Sequence, residues 1–212
     1  DRYQQAIADV LYKARSTQRE KIVECGKLIA KAIEAGGKVY LDSIVHGIDH
    51  DLIYRGGGPM YYKSYEDGKT ELKKGDVLVV SSVSGRTQRV VDLAWSAMEK
   101  GVYVIALTSM EYAACVEPVH PSGKKLYEFV TLALDNCAPA AEALLDVDGI
   151  KAKFCASSGI LSSFIMWSVT CVTVETMMAD GFTPGILMSA NFPGGNDYNK
   201  QVVEPHYEQF GW

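Results

Sequence analysis

The residues best suited to do chemistry are Ser82, Ser84 and Thr87, which close the run from Asp76 to Thr87. Their hydroxyls donate hydrogen bonds without bulk, and Gly85 among them lets the backbone approach a ligand closely. The apolar residues Val77 to Val80 precede this turn as a buried strand, and a helical pattern of Val90, Val91, Leu93, Ala94 and Met98 follows it. A strand that empties into a small-residue turn and then a helix is an anion site. The first free N–H groups of the helix point at the ligand, and the helix dipole favours negative charge. The expectation is a phosphate cradle; the plainer alternative is an N-capped loop that binds nothing.

Candidates for proton transfer are scattered along the chain. Glu175 stands among Val172, Val174, Met177 and Met178, where burial would raise its pKa; the alternative is a solvent-facing or interfacial carboxylate. Glu111 follows the polar pair Thr108-Ser109, which ends an apolar run and so belongs near a pocket. His120 sits in Val-His-Pro-Ser-Gly-Lys-Lys, a candidate acid/base with Lys124 as an anion partner, or simply part of a surface turn. His46 and His50 are spaced i, i+4 beside Asp42, Asp49 and Asp51. On a helix that spacing puts two imidazoles on one face, as a divalent metal would need, but Gly47 weakens the helix and no third ligand is fixed. A polar pocket wall is the other reading of this cluster. Arg55, before Gly56-Gly57-Gly58, is either a phosphate clamp or a structural ion pair. Ser157 and Ser158 open a long helix as caps or anion donors.

These groups need a scaffold, and hydrophobic periodicity supplies one. Helices are expected over roughly the first 35 residues in two pieces, the second started by a capping box at Thr17-Gln18-Arg19-Glu20 and stopped by Gly36-Gly37. Strands are expected at 38–41, 76–81, 103–108 and within 126–134. Helices are expected at 49–55, 87–100, 157–179 and 197–209, with loop over 60–75 and irregular chain over 109–126. Near-continuous apolar strands alternating with helices imply a parallel sheet covered on both faces. Ligands of such sheets lie beyond the carboxyl ends of the strands. Three of those ends are polar here: Asp42-Ser43, Ser81 to Thr87, and Thr108-Ser109.

Composition narrows the classes. The chain has 212 residues, 48% hydrophobic and 22% charged, with a formal net charge of −5. That suits one globular domain and provides no basic field for nucleic acid or anionic membrane. The five cysteines, at positions 25, 115, 137, 155 and 171, form no Cys-x-x-Cys and suggest reduced thiols in a cytoplasmic protein. No charged-then-apolar leader opens the sequence, so secretion is not expected. The apolar stretch from Ile160 to Met178 carries several hydroxyls and Glu175, which favours a buried or interfacial helix over a membrane span.

The ordered segments resemble one known family. Strand–Ser-x-Ser-Gly-x-Thr–helix is similar to the phosphosugar signature of SIS (sugar isomerase) domains. Tyr54-Arg55-Gly-Gly-Gly58, Lys74-Gly-Asp-Val-Leu78, Val104 to Ser109, His120-x-Ser-Gly-Lys124, Leu134-Asp-Asn136 and Ser189 to Asn199 resemble one uncharacterised branch of it. The resemblance implies a single SIS domain over 1–212 with an N-terminal helical segment of about 1–35. It implies a three-layer α-β-α sandwich on a parallel flavodoxin-like sheet, and a homodimer or higher oligomer. It also implies a phosphorylated sugar as ligand, no cofactor, and a place in carbohydrate metabolism. By motif position Ser82, Ser84 and Thr87 would hold the phosphate; Gly85, Ser43, Arg55, Thr108, Ser109 and Lys124 are the further candidates for contact with the ligand. An aldose–ketose isomerase would move a proton with Glu175 or Glu111, assisted by His120 or His46. Three other functions share the fold: a non-catalytic sensor, an etherase or lyase acting on a sugar acid phosphate, and a metal-dependent variant built on His46 and His50. The chain departs from the family pattern after the first strand. Leu41-Asp42-Ser43 stands where Gly-x-Gly-x-Ser is usual, leaving Ser43 as the substitute hydroxyl.

Overall fold

The structure, a computed structural model, describes residues 1–212. Helices α1 (Arg2–Thr17) and α2 (Arg19–Glu34) lead into strand β1 (Val39–Leu41), a 3-10 turn (Val45–Gly47) and the single turn α3 (Asp49–Leu52). Then come β2 (Tyr62–Ser64), β3 (Val77–Ser81), α4 (Gln88–Glu99), β4 (Tyr103–Thr108) and α5 (Met110–Ala114). A 3-10 turn (Leu126–Glu128) precedes β5 (Leu132–Asp135), the hairpin β6 (Ala143–Val147) and β7 (Ile150–Ala156), and the long α6 (Ser158–Ala179). The chain closes in a helical run of α7 (Gly195–Tyr198), a π-turn (Asn199–Val203) and α8 (Glu204–Phe210).

Five strands form one sheet in the order β2-β1-β3-β4-β5, with every neighbour parallel. This is the flavodoxin-like order, whose reversal point lies between β1 and β3. Side chains alternate across the sheet as a two-residue period requires. Val77 and Val79 of β3 and Ile105 and Leu107 of β4 join a core with Ile29 and Ile33 of α2 and Ile165 and Val169 of α6. Leu78, Val80, Val104 and Ala106 face the other way, onto Val90, Val91 and Ala94 of α4. The expected three layers and parallel sheet are therefore present, and they bring the ends of β1 and β3 together.

Helix α6 is apolar all round, yet it buries one face and leaves another exposed. Leu161, Ile165, Met166, Val169 and Met177 are fully buried. It crosses α2 so closely that a Cβ on Gly26 would sit 2.6 Å from the Val172 Cβ.

Several local expectations fail, each for a physical reason. The capping box does not form. Only Gln18 separates α1 from α2, and the Thr17 hydroxyl donates back to the Lys13 carbonyl at 2.8 Å. Gln18 Oε1 instead accepts from the Asp135 N–H at 3.1 Å, tying the helical pair to the end of β5. The segment expected as loop over 60–75 contains the edge strand β2, too short to show a period. The strand expected within 126–134 begins only at Leu132, after a 3-10 turn, and α5 occupies part of the region expected to be irregular. The hairpin over 143–156 is an addition to the expected elements. Its turn, Asp148-Gly149, is a strong hairpin signal, but its outward strands lack the alternation of a half-buried sheet.

Candidate functional site

The hydroxyl-rich turn forms where the sequence places it, between β3 and α4. The Ser82 carbonyl accepts from the Thr108 hydroxyl at 2.7 Å and from the Gly85 N–H at 2.9 Å. The Val83 carbonyl accepts from the Ser109 N–H at 2.9 Å, and that of Gly85 from the Leu126 N–H at 2.8 Å. With these carbonyls tied to the scaffold, the N–H groups of Ser84, Gln88 and Arg89 donate to no protein acceptor. They remain for a ligand at the N-terminus of α4. Gly85 has φ +68, and a Cβ there would lie 3.2 Å from Thr108 Oγ1, so the turn requires glycine. The Ser82 and Thr87 hydroxyls bond one another at 2.9 Å. A phosphate oxygen would replace that weak pairing with charge-assisted bonds.

The cradle forms one wall of a cleft of about 230 Å³, whose lining includes Ser43, His46, Ser82, Ser84, Thr87, Tyr112 and Glu142. The 3-10 turn after β1 carries His46. It is pinned to the cradle by the Val45 N–H, which donates to Ser81 Oγ at 2.7 Å. Glu142 comes from the turn between β5 and β6. Its Oε2 accepts from the Ser158 hydroxyl at 2.6 Å and lies 3.0 Å from His46 Nε2. Its backbone carbonyl is held by the Ser157 N–H at 3.0 Å and the Ser157 hydroxyl at 2.9 Å. His46, Ala141 and Glu142 all have positive φ (56°, 62° and 70°). Non-glycine residues there cost on the order of 1–3 kcal/mol each, so the surroundings must over-determine them. The result is a carboxylate–imidazole pair on the same cleft as the hydroxyl turn, groups chemically suited to proton exchange beside free N–H donors.

Ser43, His46, Ser82, Ser84 and Thr87 are thus brought together, with Gly85 shaping the turn. Thr108 and Ser109 are fully buried and act through the scaffold. Thr108 braces the cradle, while Ser109 caps α5 and donates to the Ala138 carbonyl at 2.6 Å. The other candidates lie elsewhere. Glu175 is exposed on the outer side of α6, because a helix apolar on every face gives sequence no means of telling inside from outside. His120 bonds Asp92 at 2.9 Å and Ser122 at 2.7 Å and stacks near Trp95, over which Lys124 also lies. Arg55 pairs with Asp51 and covers Trp167. Glu111 accepts from the Ala140 N–H at 3.2 Å, so it braces the turn that bears Glu142 without lining the cleft.

The His/Asp cluster also separates. His46 sits in a left-handed conformation outside α3, so it shares no helical face with His50. Asp42 is buried and holds the Arg89 guanidinium with two bonds, of 3.2 and 2.8 Å. Asp51 accepts from Ser163 at 3.0 Å and Trp167 Nε1 at 3.1 Å. No three metal-ligating side chains of the chain converge. Glu142 and Tyr112 are cleft residues that the sequence does not single out. The one signal for Glu142 is a lone carboxylate in the small-residue run Ala138-Pro-Ala-Ala-Glu-Ala143, just past the polar strand end Asp135-Asn136.

Comparison with known proteins agrees with this architecture. Residues 58–109 match the SIS domain model. A UPF0309 protein of Oceanobacillus iheyensis is 30% identical over 98% of this chain and 96% of its own length. A UPF0309 protein of Shouchella clausii is 29% identical over 99% and 97%. Among solved structures, a candidate phosphosugar isomerase involved in capsule formation from Bacteroides fragilis superposes with TM-score 0.54 at 19% identity, covering 85% of this chain and 88% of that one. The c3406 protein of E. coli CFT073, in complex with a phosphosugar, gives 0.54 at 16% identity, covering 86% and 89%. The Vibrio vulnificus NanR protein complexed with ManNAc-6P gives 0.52 at 16% identity, covering 98% and 68%.

Proposed function

Because this chain belongs to the UPF0309 family of SIS-domain proteins, we propose that it binds a phosphorylated sugar in this cleft and interconverts its aldose and ketose forms. The observation that carries the reading is the placement of the Glu142–His46 pair and the Ser82–Thr87 cradle on one small cleft. Phosphosugars in the c3406 and NanR structures support the ligand class.

The phosphate rests on the N–H groups of Ser84, Gln88 and Arg89 and the hydroxyls of Ser82, Ser84 and Thr87. The carbon chain then runs toward Glu142. The Glu142 carboxylate, held in place by Ser158, takes the proton from the carbon beside the carbonyl and returns it to the neighbouring carbon through an enediol. His46 exchanges a proton with the carbonyl or ring oxygen, and Ser43 and Tyr112 contact sugar hydroxyls. We also propose that the chain self-associates through the outward face of α6, where Ile160, Phe164 and Trp167 border an open apolar groove.

The test is incubation of the protein with aldose and ketose monophosphates in deuterated water, followed by NMR. Deuterium entering at C1 or C2 in the presence of the protein is the expected result. Binding without exchange would reduce the reading to a phosphosugar sensor, and no affinity for any sugar phosphate would remove it.

A further inference from the structure

We infer that the phosphate is the ligand's only anionic group: the substrate is a monophosphate of an uncharged or amino sugar, not a sugar-acid phosphate or a bisphosphate. This rests on the phosphosugar reading and specifies its substrate class. A second anion in the cleft would need a cation or several free donors, since desolvating an unpaired charge is costly. No lysine or arginine lines the cleft.

Arg89, Lys13 and Lys125 are engaged by other groups. Arg89 is bound by both oxygens of Asp42. Lys13 is 3.6 Å from Glu111, and Lys125 Nζ donates to the Ala113 carbonyl at 2.6 Å. Arg86, although part of the cradle turn, is not on the cleft wall. The free donors cluster at the cradle, where they serve one anion. The titratable groups on the lining beyond the cradle are Glu142, His46 and Tyr112. With Glu142 ionised, the Glu142–His46 pair is neutral or negative whichever state the imidazole takes, so it offers a further carboxylate or phosphate no net positive charge. An etherase or lyase acting on a sugar acid phosphate is disfavoured on the same ground.

The experiment is titration calorimetry on the intact chain with a hexose 6-phosphate, its aldonate 6-phosphate and its 1,6-bisphosphate, repeated with Glu142→Gln and Arg86→Ala. The aldonate and the bisphosphate should bind about tenfold or more weakly than the monophosphate, the size expected when like charges meet in a site. Glu142→Gln should narrow that gap, and Arg86→Ala should leave it unchanged. Equal or tighter binding of the aldonate overturns the inference while leaving the phosphosugar reading intact. So does a gap that Glu142→Gln does not narrow, or aldonate binding that disappears with Arg86→Ala. Failure of every sugar phosphate to bind overturns the parent reading and this inference together.

Discussion

Ser84 and Glu142 line the same cleft, and their substitutions should separate binding from chemistry. Ser84→Ala removes a hydroxyl from the cradle without touching the core. It should weaken sugar-phosphate binding about tenfold, the order of one hydrogen bond to a charged group, while the melting temperature holds. Glu142→Gln keeps the shape and a hydrogen-bonding head but loses the base. Deuterium exchange should fall by on the order of 100-fold or more with binding retained. Exchange that survives this change would take the proton away from Glu142. Single-residue chemistry is legible in the sequence only where it is local. The hydroxyl turn is encoded by neighbours in sequence, whereas Glu142 is placed by its contacts with His46, 96 residues away, and with Ser158. Burial pushes the pKa of the Cys25 thiol well up, which suits an unreactive cysteine.

Helices α2 and α6 pack tightly against one another at Gly26. A methyl there would meet the Val172 side chain, so Gly26→Ala should destabilise the fold by about 1–3 kcal/mol despite alanine's better helix propensity. Urea midpoints of the two proteins would show it, and an unchanged or raised midpoint would mean the helices separate easily. Asp51 joins α3 to α6 through Ser163 and Trp167. Burial pushes its pKa up, but the bonds from Trp167, Ser163 and Arg55 outweigh this and hold it below the usual value. A lowered folded pKa contributes stability above the unfolded pKa, and this is lost as pH falls through the folded one. Asp51→Asn should therefore cost stability at pH 7, with the deficit shrinking below about pH 4. An equal deficit at both pH values would show that the contact, not the charge, matters. The long elements are readable because burial imposes a period over many residues. β2 and the β6–β7 hairpin, short or turned outward, carry no such imprint.

At the scale of the molecule, the proposed self-association can be tested at the outward face of α6. Ile160, 46% exposed beside Phe164 and Trp167, is the point to test it. Ile160→Glu should shift sedimentation toward monomer with the fold intact, whereas a monomeric unmodified chain would remove that expectation. The layered parallel sheet and the cradle at the end of β3 follow from the chain alone. Continuous apolar runs must be covered on both faces, and a strand–turn–helix is contiguous in sequence. Which carboxylate reaches the cleft does not follow. Glu175, Glu111 and Glu142 are alike as letters, and what separates them is where a helix face points and which turns meet. Glu175 faces outward, Glu111 braces a turn, and Glu142 reaches the cleft. Those are long-range consequences of packing, and no local pattern records them.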